Sequence, residues 1–374
     1  MLDASLFDNF DHAGPLTHGL PAEAYTSPVF LALENRTVFR KNWVLAGFAH
    51  DLPKPGDVRP VQLAGLPLIL LRDDQARIQA FHNVCRHRNL KLVDQAGNCG
   101  KLLRCPYHSW SYDLQGNLKA APYFGGGVKD LPPEFNHCDH GLVPVHCEVW
   151  HDWIFVNLDE NPVSFSEHLA PIKKMLGSNQ VEAYHPVATF EFDQVACNWK
   201  LLMENFIEPY HVQFVHKTTT DQPLEDHATL IEDHCLGSSV ELSDEQQASA
   251  SFSSLGVTSH YLTLFPSFIL GTYQPDQLGV YLHEPLDAEH TRQRRVIYTH
   301  QDSTYSDAEI EQLRDLWHSV HLEDHAMCER LQQGRHSFLA ADGGVLSPHW
   351  ENSVRRFQEL VADSVRTALK GSSE

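Results

Sequence analysis

Two short runs, Asn83-Val84-Cys85-Arg86-His87 and Arg104-Cys105-Pro106-Tyr107-His108-Ser109-Trp110, constrain this chain more than any other stretch. They place two Cys and two His in the order C-x-H, then C-x-x-H, with seventeen residues between them. Four such side chains could hold a tetrahedral zinc, but zinc sites favour pairs of like residues, C-x₂₋₄-C and H-x₃₋₅-H. Here each pair is mixed. A mixed pair suits a [2Fe-2S] cluster in which each loop sends its Cys to one iron and its His to the other, giving Cys₂ on one iron and His₂ on its neighbour. Zinc stays the alternative, because the metal is chosen partly by geometry that spacing only approximates.

Around these loops the sequence reads as short strands and turns. Leu63–Leu71 is predicted as one buried strand and Ile78–Phe81 as another, Gly116-Asn117 marks a hairpin, and Val149–Asn157 closes the set. Several short strands at such spacing suggest a compact β sandwich inserted in the chain. Before it, Ser27-Pro28 is an N-cap with Pro at the first helical position, opening a helix through Phe30, Leu31, Leu33 and Val38. After it, residues 161–176 form a connector, helical over Ile172–Met175. A mixed region follows, with strands expected at Ala188–Cys197, Tyr261–Phe268, Gln277–Pro285 and Arg294–His300. Residues 217–256 are polar and unpatterned, which reads as a loop or lid.

That region carries a second constellation, Asn198-Trp199-Lys200 through Glu204-Asn205-Phe206-Ile207-Glu208-Pro209-Tyr210-His211 to His216. Two His and a carboxylate with open positions form the facial triad of non-haem iron(II) enzymes. His211 and His216 are five residues apart, so on an ideal helix they point roughly 140° from one another. A π-bulge would bring both onto one metal, and Pro209 already disturbs the ladder. Two lone His in a helix are more often packing residues; beside a [2Fe-2S] motif the metal reading gains. The carboxylate is sought further on. Ser306-Asp307-Ala308-Glu309 is a capping box, and the helix after it has apolar positions Leu313, Trp317, Val320, Met327 and Leu331, with a gap at Asp324. A carboxylate on a buried stripe needs a strong partner, and iron is one. Glu323, about 100° off the stripe, is the weaker candidate. Glu208, one turn before His211, could accept a hydrogen bond from it and orient it. Asn205 could line the iron pocket, and either it or Glu204 could join a buried polar network.

Composition removes whole classes of partner. A net charge of −21 argues against nucleic acid and anionic membranes. No apolar run reaches the roughly 20 residues that span a bilayer, and Met1-Leu2-Asp3-Ala4 lacks a basic n-region, so a cytoplasmic location is expected. Of eight Cys only Cys85 and Cys105 sit in a motif; the rest read as free thiols in a reducing compartment. No Gly-rich dinucleotide fingerprint or second iron–sulfur motif is visible.

In the order of its motifs the chain resembles the α-subunits of Rieske non-haem iron oxygenases, and nearly its whole length takes part. Cys85, His87, Cys105 and His108, with Ser109, Trp110, Tyr112 and the turn at Asp113–Gly116, are similar to the family's Rieske loops. Glu208, His211, His216 and Asp324 are similar to its acidic bridge and iron ligands. The resemblance implies an α+β fold: an antiparallel β Rieske domain at 41–160, a helix-grip catalytic domain at 161–374, and residues 1–40 as a helical segment packing on the latter. It implies a [2Fe-2S] cluster, Fe²⁺, O₂ as co-substrate, and a separate NAD(P)H-dependent flavin/iron–sulfur reductase. It also implies homotrimers in which Glu208 bridges His108 of one subunit to His211 of the next. Some Rieske domains carry a disulfide near the position of Cys99, which has no obvious partner here.

Glu at the bridge, the short spacing to His211, the Leu-Pro-Ala-x-Ala-Tyr opening and Glu323-Asp324 before a Gln-Gln-Gly helix end are similar to the branch acting on quaternary ammonium compounds. Glycine betaine, carnitine, choline and proline betaine are its substrates. The implied activity is monooxygenation of a C–H bond beside a cationic nitrogen, ending in N-demethylation or C–N cleavage. Phe206, Tyr210, Phe265, Tyr273 and Tyr281 could supply a cation–π cage. The rivals are an aromatic ring-hydroxylating dioxygenase and a Rieske electron carrier without oxygenase activity.

Overall fold

A computed structural model describes residues 4–12, 14–177, 179–217, 219, 222–241 and 258–370. The chain divides into two compact units, Phe39–Pro162 and the flanking Met1–Val38 with Val163–Glu374.

The inserted unit is built on a seven-stranded sheet in the order Val44–Phe48, Trp153–Asn157, Pro144–Trp150, Ile78–His82, Leu66–Arg72, Asp57–Leu63 and Gly97–Asn98. A second, three-stranded sheet joins Leu103–Arg104, Ser111–Tyr112 and Leu118–Ala120. Two segments expected as single strands are hairpins instead. Leu63 pairs with Leu66 across Ala64-Gly65, both at positive φ (51° and 74°), and Trp150 pairs with Trp153 across His151-Asp152, with His151 at 56°. Such two-residue turns suit the strand twist, but neither carries the Asn-Gly or Asp-Gly pair that announces them. Between the sheets, Ile69, Leu71, Phe81, Trp110 and Tyr112 pack with the thiols of Cys85 and Cys105 in one core.

The flanking unit holds a seven-stranded antiparallel sheet in the order Tyr184–Val195, Thr291–His300, Gln277–Pro285, Phe268–Tyr273, Thr258–Leu264, Cys235–Glu241 and His227–Glu232. Pro266, with no N–H to give a ladder, ends the strand expected to run from Tyr261 to Phe268. Two strands, His227–Glu232 and Cys235–Glu241, lie inside the stretch read as an unpatterned loop; its positions 218, 220, 221 and 242–256 fall outside the described residues. Helices Pro28–Glu34, Phe165–Leu176, Trp199–Ile207, Asp307–Arg335 and Asn352–Lys370 belong to the same unit. Among the described residues no helix is long and apolar enough to cross a membrane.

Trp199–Ile207 is the innermost helix. Asn198 caps it, its side chain accepting from Lys200 N at 3.0 Å, and Trp199 through Glu204 are all buried. Tyr25 ties it to the chain's first segment and last helix: its hydroxyl donates to Glu204 at 2.7 Å, and Gln358 Nε2 donates to both, at 3.0 and 3.1 Å. The long helix is opened by the capping box at Ser306 and Glu309. Its buried residues are Leu313, His321, His325, Cys328 and Gln332; of the apolar stripe read from sequence only Leu313 is among them, and Leu331 is half exposed. Histidines can face inward here because they are paired: His325 Nε2 lies 2.7 Å from Gln293 Oε1, and Gln293 Nε2 2.7 Å from His283.

Candidate metal centres

In the inserted unit the two motif loops have one backbone design. Cys85 N donates to Leu90 O and Asn89 N to Cys85 O, at 2.8 and 2.9 Å; Cys105 N donates to Trp110 O and Ser109 N to Cys105 O, at 2.8 and 3.0 Å. Asn89 and Ser109, each four residues after its Cys, both take positive φ (58° and 59°). The loops differ in where the His falls, two residues after one Cys and three after the other, and the two rings still meet with centroids 4.6 Å apart. Trp110 stacks under His87 at 5.0 Å. Burial pushes the Cys85 thiol pKa up, while the Tyr112 hydroxyl and the His87 N–H, both aimed at its sulfur, pull it down. Tyr112 holds that position because its oxygen also accepts from Arg86 N at 3.0 Å.

Two buried thiols and two facing imidazoles fit a cluster with mixed ligation, and His108 Nδ1, buried without a hydrogen-bond partner, is an acceptor left for a metal. All eight cysteines, Cys99 included, are free.

In the flanking unit a second donor set converges. The Trp199–Ile207 helix stops at Glu208, which is extended (φ −116°, ψ 138°), as a residue before proline must be. The chain then re-forms a four-residue helix, Val212–Val215, with His211 and His216 at its two ends. No π-bulge carries the pair; a break at Pro209 and a fresh turn bring the rings to 5.4 Å. Each ring is held from behind by a glutamate. His211 Nδ1 lies 2.7 Å from Glu208 Oε1, and the other Glu208 oxygen accepts from the N–H groups of Tyr210 and His211. His216 Nδ1 lies 2.8 Å from Glu323 Oε2, which also accepts from the Thr219 hydroxyl at 2.7 Å.

With both Nδ1 atoms engaged, both Nε2 atoms are turned to Asp324 Oδ1, at 3.5 Å for His211 and 3.1 Å for His216. These three donor atoms lie within 4.8 Å of one another, a group able to hold a metal ion. Asp324 Oδ1 is buried and accepts no hydrogen bond. Burial disfavours a charged His216, yet Asp324 and Glu323 outweigh it and raise its pKa to about 9; His211 rises likewise, burial being outweighed by Glu208 and Asp324. Two imidazoles under this much negative charge are suited to a cation.

Glu323 is the residue that sequence reasoning undervalued. As a candidate ligand it ranks below Asp324, and it stands instead behind a ligand, His216. Asn205 is half-buried and makes no side-chain hydrogen bond among the described residues. Glu204 belongs instead to the Tyr25 network.

The five aromatics expected as a cage are not gathered into one. Phe206 and Tyr281 are 5.2 Å apart, and Tyr273 and Tyr281 share a hydrogen bond of 2.7 Å. Their neighbourhood already contains a cation, Arg295, whose guanidinium carbon is 4.9 Å from the Tyr281 ring centre, 5.2 Å from Tyr273 and 3.8 Å from Trp317. Phe265 is buried against Phe357 at 6.0 Å, and Tyr210 is exposed beside Phe214.

Residues 42–132 match the Rieske [2Fe-2S] domain and residues 181–367 the ring hydroxylating alpha subunit (catalytic domain). The glycine betaine monooxygenase oxygenase subunit of Chromohalobacter salexigens is 37% identical over 200 residues, 53% of this chain and 43% of that protein, so the chain spans less than half of that relative's length. Choline monooxygenase of Spinacia oleracea is 28% identical over 92% of this chain and 78% of its own. The crystal structure of a quaternary ammonium Rieske monooxygenase superposes with a TM-score of 0.80 at 22% identity, covering 97% of this chain and 98% of the other, a likeness of fold. A catalytic-domain match over half the chain, preceded by a Rieske match on the unit that carries the mixed Cys/His loops, places the chain in the ring hydroxylating alpha subunit family of Rieske-type oxygenases.

Proposed function

We propose that this chain is the oxygenase component of a monooxygenase that hydroxylates a C–H bond next to a quaternary ammonium nitrogen, with the alkyl group then lost. The observation that carries the reading is the paired orientation of His211 and His216: a glutamate on each Nδ1 leaves both Nε2 atoms beside Asp324. The relatives named for glycine betaine and choline support the substrate class.

In this reading His211, His216 and Asp324 hold Fe²⁺, and Cys85, His87, Cys105 and His108 hold the [2Fe-2S] cluster. When bound, the two centres supply one-electron storage and O₂ activation. The chain's own residues supply the rest. Glu208 and Glu323 each retain a proton at the Nδ1 of their imidazole, fixing its tautomer and ring angle. Glu208 is held in place by the backbone N–H groups of Tyr210 and His211, so it keeps its orientation while offering the contact to a neighbouring subunit's His108. An NAD(P)H-dependent reductase is a separate partner, and a head-to-tail homotrimer is the assembly such a bridge needs.

Substrate-dependent formaldehyde release tests the reading, using purified protein, a Rieske reductase, NADH, O₂ and small betaines. Coupled O₂ uptake with formaldehyde is expected. Ring diols from aromatic substrates without formaldehyde would establish the dioxygenase instead. An iron content of two per chain after reconstitution, in place of about three, would establish an electron carrier.

A further inference from the structure

The three donor side chains of the metal trio are not held alike. His211 and His216 each have a glutamate on Nδ1, whereas Asp324 Oδ1 has no hydrogen-bond partner. Its aim is therefore set by the helix that carries it. Before Asp324 the Asp307–Arg335 helix is tied down by Trp317 Nε1, which donates to Gln277 Oε1 at 3.2 Å. After it, Glu329 and Gln332 accept from the N–H groups of Ala196 and Asn198, at 3.2 and 3.0 Å. On the turn of Asp324 itself Glu323 is engaged with His216, and the tie to the sheet is His325, whose Nε2 lies 2.7 Å from Gln293 Oε1.

Gln293 stands directly opposite His283 on the neighbouring strand, and its Nε2 lies 2.7 Å from His283 Nε2. His283 Nδ1 in turn lies 3.2 Å from Met203 Sδ. All four side chains are buried. The last atom fixes the direction of the whole chain. A thioether can only accept, and burial lowers the His283 pKa to about 3, so its one ring proton sits on Nδ1 and its Nε2 is a lone pair. That lone pair requires the amide N–H of Gln293, which turns Oε1 to His325 and places the His325 proton on Nε2. An amide donates to one imidazole and accepts from the other; a carboxylate would only accept. The contacts run from the helix of Asp324, across two strands, to the helix Trp199–Ile207, which passes directly into Glu208 and so to His211. Gln293 is the midpoint between the two elements that bring the metal donors together.

We propose that Gln293 is a positioning residue for the iron site: through His325 it fixes the rotation of the helix at Asp324, and through His283 and Met203 it holds that turn in register with the helix that leads to His211. The inference rests on the iron reading of His211, His216 and Asp324 and is independent of the substrate.

Fe²⁺ affinity of the cluster-loaded full chain, measured by competition with a chromophoric chelator, tests this, with thermal unfolding of the same samples as the measure of the fold. Gln293→Leu should bind Fe²⁺ about 10-fold more weakly, the lower end of what support to a ligand is worth. Val365→Ala, which opens a cavity at a buried position of the last helix, should lower the melting temperature and leave the affinity unchanged. Unchanged affinity in Gln293→Leu, or an equal drop in Val365→Ala, overturns the proposal. Met203→Leu conserves volume and removes only the acceptor, so it should weaken Fe²⁺ binding by less, and the double variant should lose no more than Gln293→Leu alone. Additive losses would overturn the shared path. Imidazole nitrogen NMR shifts of the wild type read the tautomers with no variant required to fold, and a His283 proton on Nε2 overturns the proposal. A wild type that binds no Fe²⁺ overturns the iron reading with it.

Discussion

Glu34 and Lys200 form a 2.7 Å ion pair in which neither side chain is exposed at all. Lys200 Nζ also lies 5.1 Å from the ring centre of Tyr25, 5.4 Å from Phe30 and 5.3 Å from Trp199, and Trp199 Nε1 donates to the second Glu34 oxygen at 3.1 Å. Burial pushes the lysine pKa down and the glutamate pKa up, against their mutual attraction. Breaking such a pair from one side leaves a buried charge, at about 3–5 kcal/mol. Lys200→Met and Glu34→Gln should each lower the melting temperature clearly, and the double variant should lose less than the sum of the two. Additive losses in a double-mutant cycle would show that the pair is uncoupled.

Glu323 should tune metal affinity through His216. With Glu323→Ala, the His216 ring loses its Nδ1 partner and iron affinity should fall about 10- to 100-fold, while the visible Rieske absorption stays. Competition with a chromophoric Fe²⁺ chelator measures it. An unchanged affinity would mean that the ring is fixed by packing alone.

Asp324→Ala should abolish turnover with the Rieske absorption intact, since the two centres draw on different residues. A variant that turns over normally would take Asp324 out of the iron set. Glu208→Gln separates two roles at one position: slow reoxidation of the cluster with iron retained is expected. Loss of iron would make Glu208 a support for His211 and nothing more.

Tyr112→Phe removes the hydroxyl 3.4 Å from Cys85 Sγ. A hydrogen bond to a cluster ligand favours the reduced, more negative state, so its loss should lower the Rieske midpoint potential by about tens of millivolts, the equivalent of roughly 1 kcal/mol. Voltammetry of the purified protein reads this directly.

Acid should destabilise the flanking unit. Burial lowers the pKa of His168 and of His283 to about 3, against about 6.5 in an unfolded chain. Above pH 6.5 both states are neutral at these groups and nothing is lost. Between pH 6.5 and 3 the unfolded state binds protons that the folded state refuses, so stability falls as pH falls, by up to about 1.4 kcal/mol per pH unit for each group. Denaturant titrations at pH 7 and 5 should show the drop, and His283→Asn should reduce it.

The features legible in the sequence were those whose chemistry is local. Mixed Cys/His pairs at fixed spacing and a Ser-x-x-Glu capping box state their purpose within a few residues. What stayed hidden depends on backbone or distance. Ala64 and His151 give no sign that they will turn a hairpin, because residues other than glycine seldom adopt positive φ. The break at Pro209 was visible, but its outcome, a new turn in place of a bulge, depends on Glu208 anchoring the N–H groups beyond it. Glu323 finds His216 from 107 residues away, and the aromatics read as a cage have among them an arginine that periodicity cannot place.

The link from Tyr25 to Glu204 and Gln358 bears on how the molecule is made. Residues more than three hundred positions apart must meet before the innermost helix has its polar partners, whereas Phe39–Pro162 draws on contiguous chain. During synthesis the electron-storing unit can mature while the ribosome is still translating the rest, and the oxidising unit waits for the last helix to emerge. A stalled or prematurely ended chain would therefore carry a finished cluster domain and no competent iron pocket.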